Sequence, residues 1–309
     1  MRPITVTDYS RDGWADFAAA EAGARRYCEQ LEQGAILQLP SPLLDLNDDD
    51  RNFLCGITQT ASVAVKNISY RPATGSLRGY AGSDTNTARL ERSLSDYANS
   101  ARKVVEELLS PYAGGLRVDL TSFRPIEECG RRLNMRSRND LIHIDAFANR
   151  PARDRRILRF FTNVHPSRPR VWKTSETFEE LADRMARAAG LDDCAKATQG
   201  FLPRFQLRAL AVLSSIGVPI KYQSPYDRFM LGFHDYLKMN AVFQANCPTD
   251  LIEFPPGSTW IAFTDAVSHA VSSGQYALEQ TFFVPVASMI APRKSPLRVL
   301  EAMCHSRLV

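Results

Sequence analysis

The sequence predicts an α+β protein with a mainly β core, a helical N-terminal part and one helical insertion. Two observations support this class. Short runs rich in β-branched and aromatic residues fill much of the chain after residue 116, whereas helical periodicity dominates the N-terminal third and a middle segment. A third observation, the lack of any linker rich in Pro, Gly or Ser, favours a single domain over the whole of 1–309.

The N-terminal part, residues 1–115, is expected to contain two helices and a strand. Apolar residues recur at helical spacing over 11–32 and again over 86–109, where Pro111 ends the helix. Between these helices, "GAILQLP" (34–40) is typical of a strand.

A glycine-containing loop, "RPATGSLRGYAGSD" (71–84), is predicted before the second of these helices. It carries Arg71 and Arg78. Two interpretations stay open, a plain surface connection and a lid or loop that contacts a substrate.

The core is expected to comprise residues 116–173 and 241–290. Apolar runs of strand length recur there, bounded by turn-forming residues. The predicted strands are 116–125, 140–147, 156–166, 250–255, 258–265 and 278–286.

Residues 174–240 are expected to interrupt the core as a helical insertion. Thr174 or Ser175 can cap its first helix, because glutamates follow where the N-terminal dipole favours them. The segment 224–240 has apolar residues at the spacing of an amphipathic helix. A C-terminal helix, begun by a Ser-Pro pair, is expected within 291–309.

The composition bounds the location of the protein. No run of about 18 apolar residues suggests a transmembrane helix, and the N-terminus lacks the apolar core of a secretory signal. The six cysteines are scattered without a CxxC pair, which argues against a zinc ribbon or a disulfide framework. We therefore expect a cytoplasmic protein.

Charge is unevenly distributed along the chain. The formal net charge is +4, yet residues 124–173 contain 13 Arg or Lys against 5 Asp or Glu, a local net charge of +8. This block predicts an anionic ligand, and the alternative is a solvated basic face. It lacks interleaved aromatic residues and any known nucleic-acid motif, so no nucleic-acid partner is expected.

The stretch "NDLIHIDAF" (139–147) places His143 and Asp145 two positions apart in an apolar run. In an extended chain, residues i and i+2 point to the same side. Two histidines and one carboxylate would leave three adjacent coordination positions open, as in non-haem Fe(II) oxygenases. Of the other four histidines, His269 is the candidate third ligand, because it lies between two predicted strands.

Other interpretations of the same residues stay open. His143 and Asp145 can instead hydrogen-bond each other or the backbone, in a purely structural role. Asp265, four residues before His269, can replace Asp145 as the carboxylate ligand. His234 lies within a predicted helix, where we expect it at the helix surface or in a pocket. It is not expected to bind the metal, because its neighbour Asp235 diverges from it by about 100°.

Two longer segments resemble Fe(II)/2-oxoglutarate dioxygenases, namely "HIDAF" and "PPGSTWIAFTDAVSHAVSSGQYALEQTFFVP". More narrowly, the chain resembles the Kdo hydroxylases of Gram-negative bacteria from about residue 30 to 301. The segments that carry this resemblance are "KNISYRP" (66–72), "TSFRP" (121–125), "SPYDRFMLGFHDYLK" (224–238), "SGQYALEQTF" (273–282) and "SPLRVLE" (295–301).

The resemblance implies a double-stranded β-helix (jelly-roll) core. It also implies that His143, Asp145 and His269 bind Fe(II) and form the catalytic set, with 2-oxoglutarate as co-substrate and ascorbate as a supporting reductant. The implied reaction is 3-hydroxylation of Kdo in Kdo-lipid A, giving Ko. An acidic, lipid-linked sugar would then be the partner, with peripheral contact at the cytoplasmic face of the inner membrane. Two alternatives are another anionic acceptor and a non-catalytic cupin-type module that binds a metal or an anion.

The co-substrate anchor departs from the common pattern. Many relatives in the superfamily place an Arg about ten residues after the second metal-binding His, but this sequence has Glu279 there. Other branches of the superfamily place the basic residue on the strand after the His-X-Asp motif, and at strand period Arg159 and Asn163 share one face there. The resemblance therefore implies that Arg159 pairs with the distal carboxylate and that Asn163 hydrogen-bonds the oxo acid. Gln280 and Thr281 are expected to add polar contacts.

Arginine pairs with carboxylates and phosphates through bidentate, charge-assisted bonds. The loop "CGRRLNMRSRND" before the His143 segment is rich in arginine, and loops at that end of a jelly roll commonly surround the mouth. The alternative for each residue is a surface ion pair. The candidate substrate-binding residues are Arg71, Arg124, Arg131, Arg132, Arg136 and Arg138.

Overall fold

The structure, a computed structural model, describes residues 6–8, 21–39, 46–57, 67–131, 133–196, 198 and 223–309. Its strands are β1 (Val6–Asp8), β2 (Ile36–Leu39), β3 (Ile68–Arg71), β4 (Ser76–Arg78), β5 (Arg117–Arg124), β6 (Arg155–Asn163), β7 (Arg170–Thr177), β8 (Asp250–Phe254), β9 (Thr259–Phe263), β10 (Val267–Ser273) and β11 (Ala277–Pro285). Its α-helices are α1 (Glu21–Glu32), α2 (Asp48–Cys55), α3 (Asp84–Leu108), α4 (Ser110–Ala113), α5 (Phe178–Met185), α6 (Leu191–Lys196), α7 (Pro225–Met239), α8 (Ala241–Asn246) and α9 (Pro296–Cys304).

Two sheets form the centre of the molecule, and the predicted α+β class is confirmed. The larger sheet has the strand order β1-β2-β9-β6-β11-β5-β3-β4, and its neighbours pair antiparallel except β1 and β2. The smaller sheet has the order β10-β7-β8 and is antiparallel. In the described part of the chain, none of the helices combines the length and apolarity that crossing a bilayer requires.

Strand β6 shows why both faces of the large sheet are buried. Phe160 points to the helical side, where Tyr97 of α3 meets it edge-on at 6.3 Å between ring centroids. Phe161, the next residue, points to the opposite face and packs edge-on against Trp172 of β7, with 5.1 Å between ring centroids. Because successive strand residues alternate sides, Arg159 shares the face of Phe161 and enters the space between the two sheets.

The predicted helices are largely confirmed where the structure describes them. The periodic segment 86–109 is helix α3, the segment 224–240 is α7, and the C-terminal helix α9 begins at Pro296. The predicted helix 11–32 is helical from Glu21 onwards, and its first ten residues lie outside the described residues.

The prediction of a strand over 140–147 was wrong. The segment is extended, but only His143 forms a β-bridge, to His269 of β10. Two residues further on, the Asp145 amide donates to the carbonyl of Thr264 at 2.7 Å. Because Thr264 lies in the turn before β10, a regular ladder cannot continue past the bridge.

The predicted helix start at Thr174 or Ser175 was also wrong. Both residues are fully buried in β7, where Thr174 pairs with Asp250 of β8. The helix α5 begins one turn later, with Thr177 as its N-cap in a capping box with Glu180. Burial between two neighbouring strands therefore overrides the capping propensity of these side chains.

The predicted loop 71–84 is in part a hairpin. Strands β3 and β4 pair antiparallel, and Gly75 adopts a φ of +65° in the connecting turn, a conformation that glycine reaches without steric cost. Arg71 ends β3 and is exposed.

Candidate functional site

Backbone pairing brings the His143 segment against strand β10. The amides of His143 and His269 each donate to the other's carbonyl oxygen, at 3.0 and 2.8 Å. As the i, i+2 spacing requires, Asp145 points to the same side as His143, and its Oδ1 lies 3.9 Å from His143 Nε2. One ligand atom from each of His143, Asp145 and His269 lies within 4.8 Å of the others.

Both imidazoles present the same nitrogen to this cluster. The Nδ1 atoms of His143 and His269 lie 2.7 and 2.9 Å from the carbonyl oxygens of Leu141 and Val267, so each Nδ1 carries the proton and donates it. Burial lowers the pKa of both histidines, which keeps the rings neutral. The Nε2 lone pairs are therefore available to a metal ion.

Arg159 holds the third member of the cluster in its charged form. Burial alone would raise the pKa of Asp145, but the charge of the Arg159 guanidinium acts in the opposite direction, and that pKa lies well below its usual range. The guanidinium donates to Oδ2 of Asp145 at 2.7 Å. One carboxylate oxygen is thus engaged by Arg159, and the other faces His143.

The donor set suits a divalent transition metal. Two neutral imidazoles and one ionised carboxylate are the ligands that non-haem Fe(II) sites use, and thiolates are absent from the described cluster. Asp265, the alternative carboxylate, is engaged elsewhere. Its two oxygens accept from Arg156 Nε and Nη2 at 2.9 and 3.0 Å, within a buried ion pair.

The three side chains open into a cavity of ≈ 260 Å³ between the two sheets, α7 and the 3₁₀ turn Met135–Ser137. Trp172 stacks on His269 in its wall, with 4.8 Å between ring centroids. Five cationic side chains line the cavity, namely Arg124, Arg136, Arg159, Arg170 and Lys238. An anionic ligand is expected in such a space.

A buried network joins three of these arginines to two glutamates. Glu279 accepts from Arg124 at 2.5 Å and pairs with Arg159 at 2.7 Å. Burial alone would raise the pKa of Glu279, but these two arginines lower it to about 2. Glu128 pairs with Arg170 at 3.7 Å.

Some hydrogen-bond donors of this network have no partner among the described residues. The Nε atoms of Arg124, Arg159 and Arg170 are buried without a hydrogen-bond partner among the described residues. Orphaned buried donors of this kind cost free energy unless a ligand accepts from them. Their chemistry fits the carboxylates of a small dicarboxylic acid.

The structure does not bring every predicted co-substrate residue to this cavity. Asn163 donates to the carbonyls of Arg168 and Phe254, and it lies outside the cavity wall. The side-chain oxygen of Gln280 accepts a hydrogen bond from Thr121, on the face of β11 opposite Glu279. Thr281 donates a hydrogen bond to Glu279 at 2.9 Å and does not line the cavity.

Some of the candidate substrate-binding arginines likewise line the cavity, and others do not. Arg124 and Arg136 line the cavity. Arg138 pairs with Asp140, and Arg131 lies 3.5 Å from Glu128. Arg71 lies outside the cavity wall, and Arg132 is outside the described residues.

Several cavity residues were not predicted from the sequence as residues that bind a ligand, although His234 was expected at the helix surface or in a pocket. Arg170 and Trp172 share one face of β7, which was not among the predicted strands. His234 and Lys238 share one face of α7 at i, i+4 spacing, a signal the sequence contains. An amphipathic helix with one polar pair is, however, typical of a helix whose polar face meets solvent.

Comparison with known proteins agrees with this geometry. A family model described as 3-deoxy-D-manno-oct-2-ulosonic acid (Kdo) hydroxylase matches residues 14–307. A search of curated proteins returned no match.

Solved structures of one Kdo hydroxylase, KdoO, a non-heme Fe(II) alphaketoglutarate-dependent dioxygenase, are similar to the chain. The complex with alphaketoglutarate and Fe(III) is 32% identical, with a TM-score of 0.80 over 99% of this chain and 97% of that one. The cobalt(II) complex gives 32% and 0.80 over 98% and 97%. The complex with succinate and Fe(III) gives 31% and 0.79 over 98% and 97%. On the family match and this likeness over nearly its full length, the chain belongs to the Kdo hydroxylase family.

Proposed function

We propose that the protein hydroxylates Kdo at its 3-position within Kdo-lipid A, giving Ko, in a reaction that consumes 2-oxoglutarate and dioxygen. As a member of its family the protein is an Fe(II)/2-oxoglutarate-dependent Kdo hydroxylase. The position of hydroxylation and the lipid-linked form of the acceptor are part of the proposal. The observation that carries it is the convergence of His143, Asp145 and His269 on a cavity lined by cations.

His143, Asp145 and His269 are the proposed iron ligands. The fixed Nδ1–H tautomers aim two Nε2 lone pairs at one point, and Arg159 keeps the carboxylate ionised. When bound there, Fe(II) would supply the redox chemistry that couples decarboxylation of 2-oxoglutarate to succinate with insertion of one oxygen atom into a C–H bond. The chain itself contributes the binding, the orientation and the charge.

The 2-oxoglutarate site is proposed at the arginine network. Arg159 was the sequence-based candidate, and it lines the cavity beside Asp145. Arg124 and Arg170 are added because their Nε donors lack partners among the described residues. The neighbouring Trp172 gives the co-substrate chain an apolar wall.

We further propose that the chain forms one oxygenase domain. In this proposal the two facing sheets are the halves of a double-stranded β-helix formed by 116–173 and 241–290, and the core between them supports it. Residues 1–115 flank the core, 174–240 are the insertion and 291–309 hold the C-terminal helix.

The first experiment measures metal binding and co-substrate turnover separately. Purified protein with Fe(II) and ascorbate is expected to release succinate from 2-oxoglutarate, faster when Kdo-lipid A is present. His143→Ala should abolish succinate release and weaken Co(II) binding at least tenfold, because it removes one of three ligands. His305→Asn is the matched control, since His305 is exposed and lies outside the cavity.

The products then distinguish the alternatives. Mass spectrometry of lipopolysaccharide from a host that lacks Ko should show a gain of one oxygen atom on Kdo only when the protein is expressed. Succinate release without this gain would indicate another anionic acceptor. Metal binding without any succinate would indicate the non-catalytic cupin-type module.

A further inference from the structure

The cations of the cavity differ in how they are paired. Each of the four arginines has a carboxylate partner: Arg136 pairs with Asp235 at 3.1 Å, and the other three with members of the buried network. Lys238 has no carboxylate ion-pair partner in the described part of the chain. Its Nζ donates to the backbone oxygen of Arg136 at 3.0 Å.

Lys238 is nonetheless deeply buried, with 1% of its surface exposed. Burial lowers its pKa to about 8, although Asp145, Asp235 and Asp140 lie near enough to favour the charged form. An ammonium group has three donors, and a single neutral acceptor satisfies one of them. A buried cation in this state is stabilised when an anion enters the cavity and accepts from it.

The position of Lys238 separates it from the proposed co-substrate site. Arg124, Arg159 and Arg170 lie on strands β5, β6 and β7 in the interior of the sheets. Lys238 lies on helix α7, beside the 3₁₀ turn that contains Arg136, whose side chain is 71% exposed. The helix therefore forms the outer wall of the cavity and the strands form the inner wall.

A second residue on the same face of α7 contacts one of the three proposed metal ligands. His234, one turn before Lys238, places its ring edge-on to that of His143 with 5.0 Å between centroids. Its Nδ1 donates to the Ile144 carbonyl at 2.7 Å, so Nε2 remains as an acceptor. An acidic sugar offers both a carboxylate for an ammonium group and hydroxyl donors for an imidazole nitrogen.

We propose that Lys238 binds the carboxylate of the acidic sugar acceptor, with His234 beside it accepting a hydrogen bond from a sugar hydroxyl. This inference rests on the proposed function and names the group that recognises the acceptor. The pair determines specificity on the helical wall, while the arginines of the inner wall hold the 2-oxo acid.

The test compares Kdo with its carboxylate methyl ester. Binding of each to the Fe(II)- and 2-oxoglutarate-loaded protein is measured by calorimetry without oxygen, so no turnover intervenes. The wild type is expected to prefer the free acid by at least tenfold. Lys238→Met should lose that preference, and Lys238→Arg should regain part of it, because the charge returns. Lys196→Met, at an exposed lysine of α6, is the matched control and should keep the full preference.

The steady-state kinetics supply a second readout. Lys238→Met should raise KM for the Kdo acceptor at least tenfold and change KM for 2-oxoglutarate less than twofold. A Lys238→Met protein that still prefers the acid to the ester overturns the proposal, as does an equal rise in both KM values, which would place Lys238 in the co-substrate site. Failure of the proposed function is recognised separately, because the wild type would then release no extra succinate when Kdo-lipid A is added.

Discussion

Asp145 divides its two carboxylate oxygens between different partners. Oδ2 accepts from Arg159, and Oδ1 faces the imidazole of His143. As a proposed metal ligand, Asp145 is thereby oriented before any ion arrives, and outer partners of this kind usually contribute ten- to a hundredfold to metal affinity. Arg159 therefore serves two roles, because the same guanidinium also borders the proposed co-substrate site.

Arg159→Ala is expected to raise KM for 2-oxoglutarate at least tenfold and to weaken Co(II) binding by a similar factor. Both effects follow from the loss of one guanidinium that contacts Asp145 and lines the cavity. Steady-state kinetics and metal titration check them. Arg102→Ala, in an exposed pair on α3, is the control. An unchanged KM for 2-oxoglutarate would show that Arg159 is not the anchor.

Glu279 gives the site a dependence on pH. Its pKa in the folded protein, about 2, lies below the usual 4.5, so its contribution to stability is complete above pH 4.5 and is lost as the pH falls towards 2. Glu279→Gln should lower the free energy of unfolding at pH 7 by about 3 kcal/mol, since it leaves Arg124 and Arg159 without their shared carboxylate.

The difference between the wild type and Glu279→Gln should shrink as the pH falls from 4.5 towards 2. Urea unfolding at several pH values measures it. Glu253→Gln, on the exposed side of β8, should show little difference at any pH. A gap between wild type and Glu279→Gln that stays constant with pH would contradict the assignment.

At the scale of elements, the turn between β10 and β11 controls the position of Arg170. Gly274 in this turn has a φ of +133°, and a Cβ there would lie 2.7 Å from Arg170 Cγ. The carbonyl of Gly274 also accepts from Arg170 Nη1 at 3.1 Å. Glycine is thus required both by the backbone conformation and by the close approach of the guanidinium stem.

Gly274→Ala is expected to raise KM for 2-oxoglutarate several-fold by displacing Arg170, and to lower the melting temperature. Kinetics and thermal unfolding measure the two effects. Gly114→Ala is a matched control, because a Cβ at Gly114 has nothing within 4 Å and its φ is negative. Equal behaviour of the two variants would mean that the turn does not position Arg170.

The secondary-structure elements also show which features could be predicted from the sequence and which could not. The His143–Asp145 pair was predictable because spacing alone puts i and i+2 on one side of an extended chain. The end of that extended segment was not, because it depends on a hydrogen bond to Thr264, more than a hundred residues away. Lys238 was not predicted as a cavity residue for a similar reason, because only tertiary packing turns the polar face of α7 towards the cavity.

At the scale of the whole molecule, exposed apolar residues adjoin the segments that form the outer wall of the cavity. Met135 and Met239 directly neighbour the cavity-lining Arg136 and Lys238 in sequence, and Val242 lies on the following helix α8; these three exposed apolar residues, at 45%, 59% and 73%, are called the rim. Met135 precedes Arg136, whose backbone accepts from Lys238 next to Met239, so these segments adjoin. We propose that this rim contacts the inner membrane peripherally at its cytoplasmic face, because apolar and basic groups together favour anionic lipid surfaces.

Co-sedimentation with vesicles of phosphatidylethanolamine and phosphatidylglycerol tests the rim. The double variant Met239→Glu/Val242→Glu is expected to reduce the bound fraction at least threefold, because two carboxylates would face anionic headgroups. Val309→Glu, at the exposed C-terminal residue, is the control. Equal binding of the wild type and the double variant would exclude this rim as the membrane contact.

Helix α7 is hydrogen-bonded to the rest of the protein at its start and, through His234 and Lys238, along its cavity face. Its capping box joins Ser224 and Asp227, and Asp227 also accepts from the Arg153 amide at 2.9 Å. The proposed oxidising centre thus belongs to strands and extended chain, whereas the proposed acceptor contacts belong to a separate helix. In evolution or by engineering, exchange of side chains on one face of α7 is therefore a route to new acceptors that leaves the three proposed iron ligands themselves unchanged.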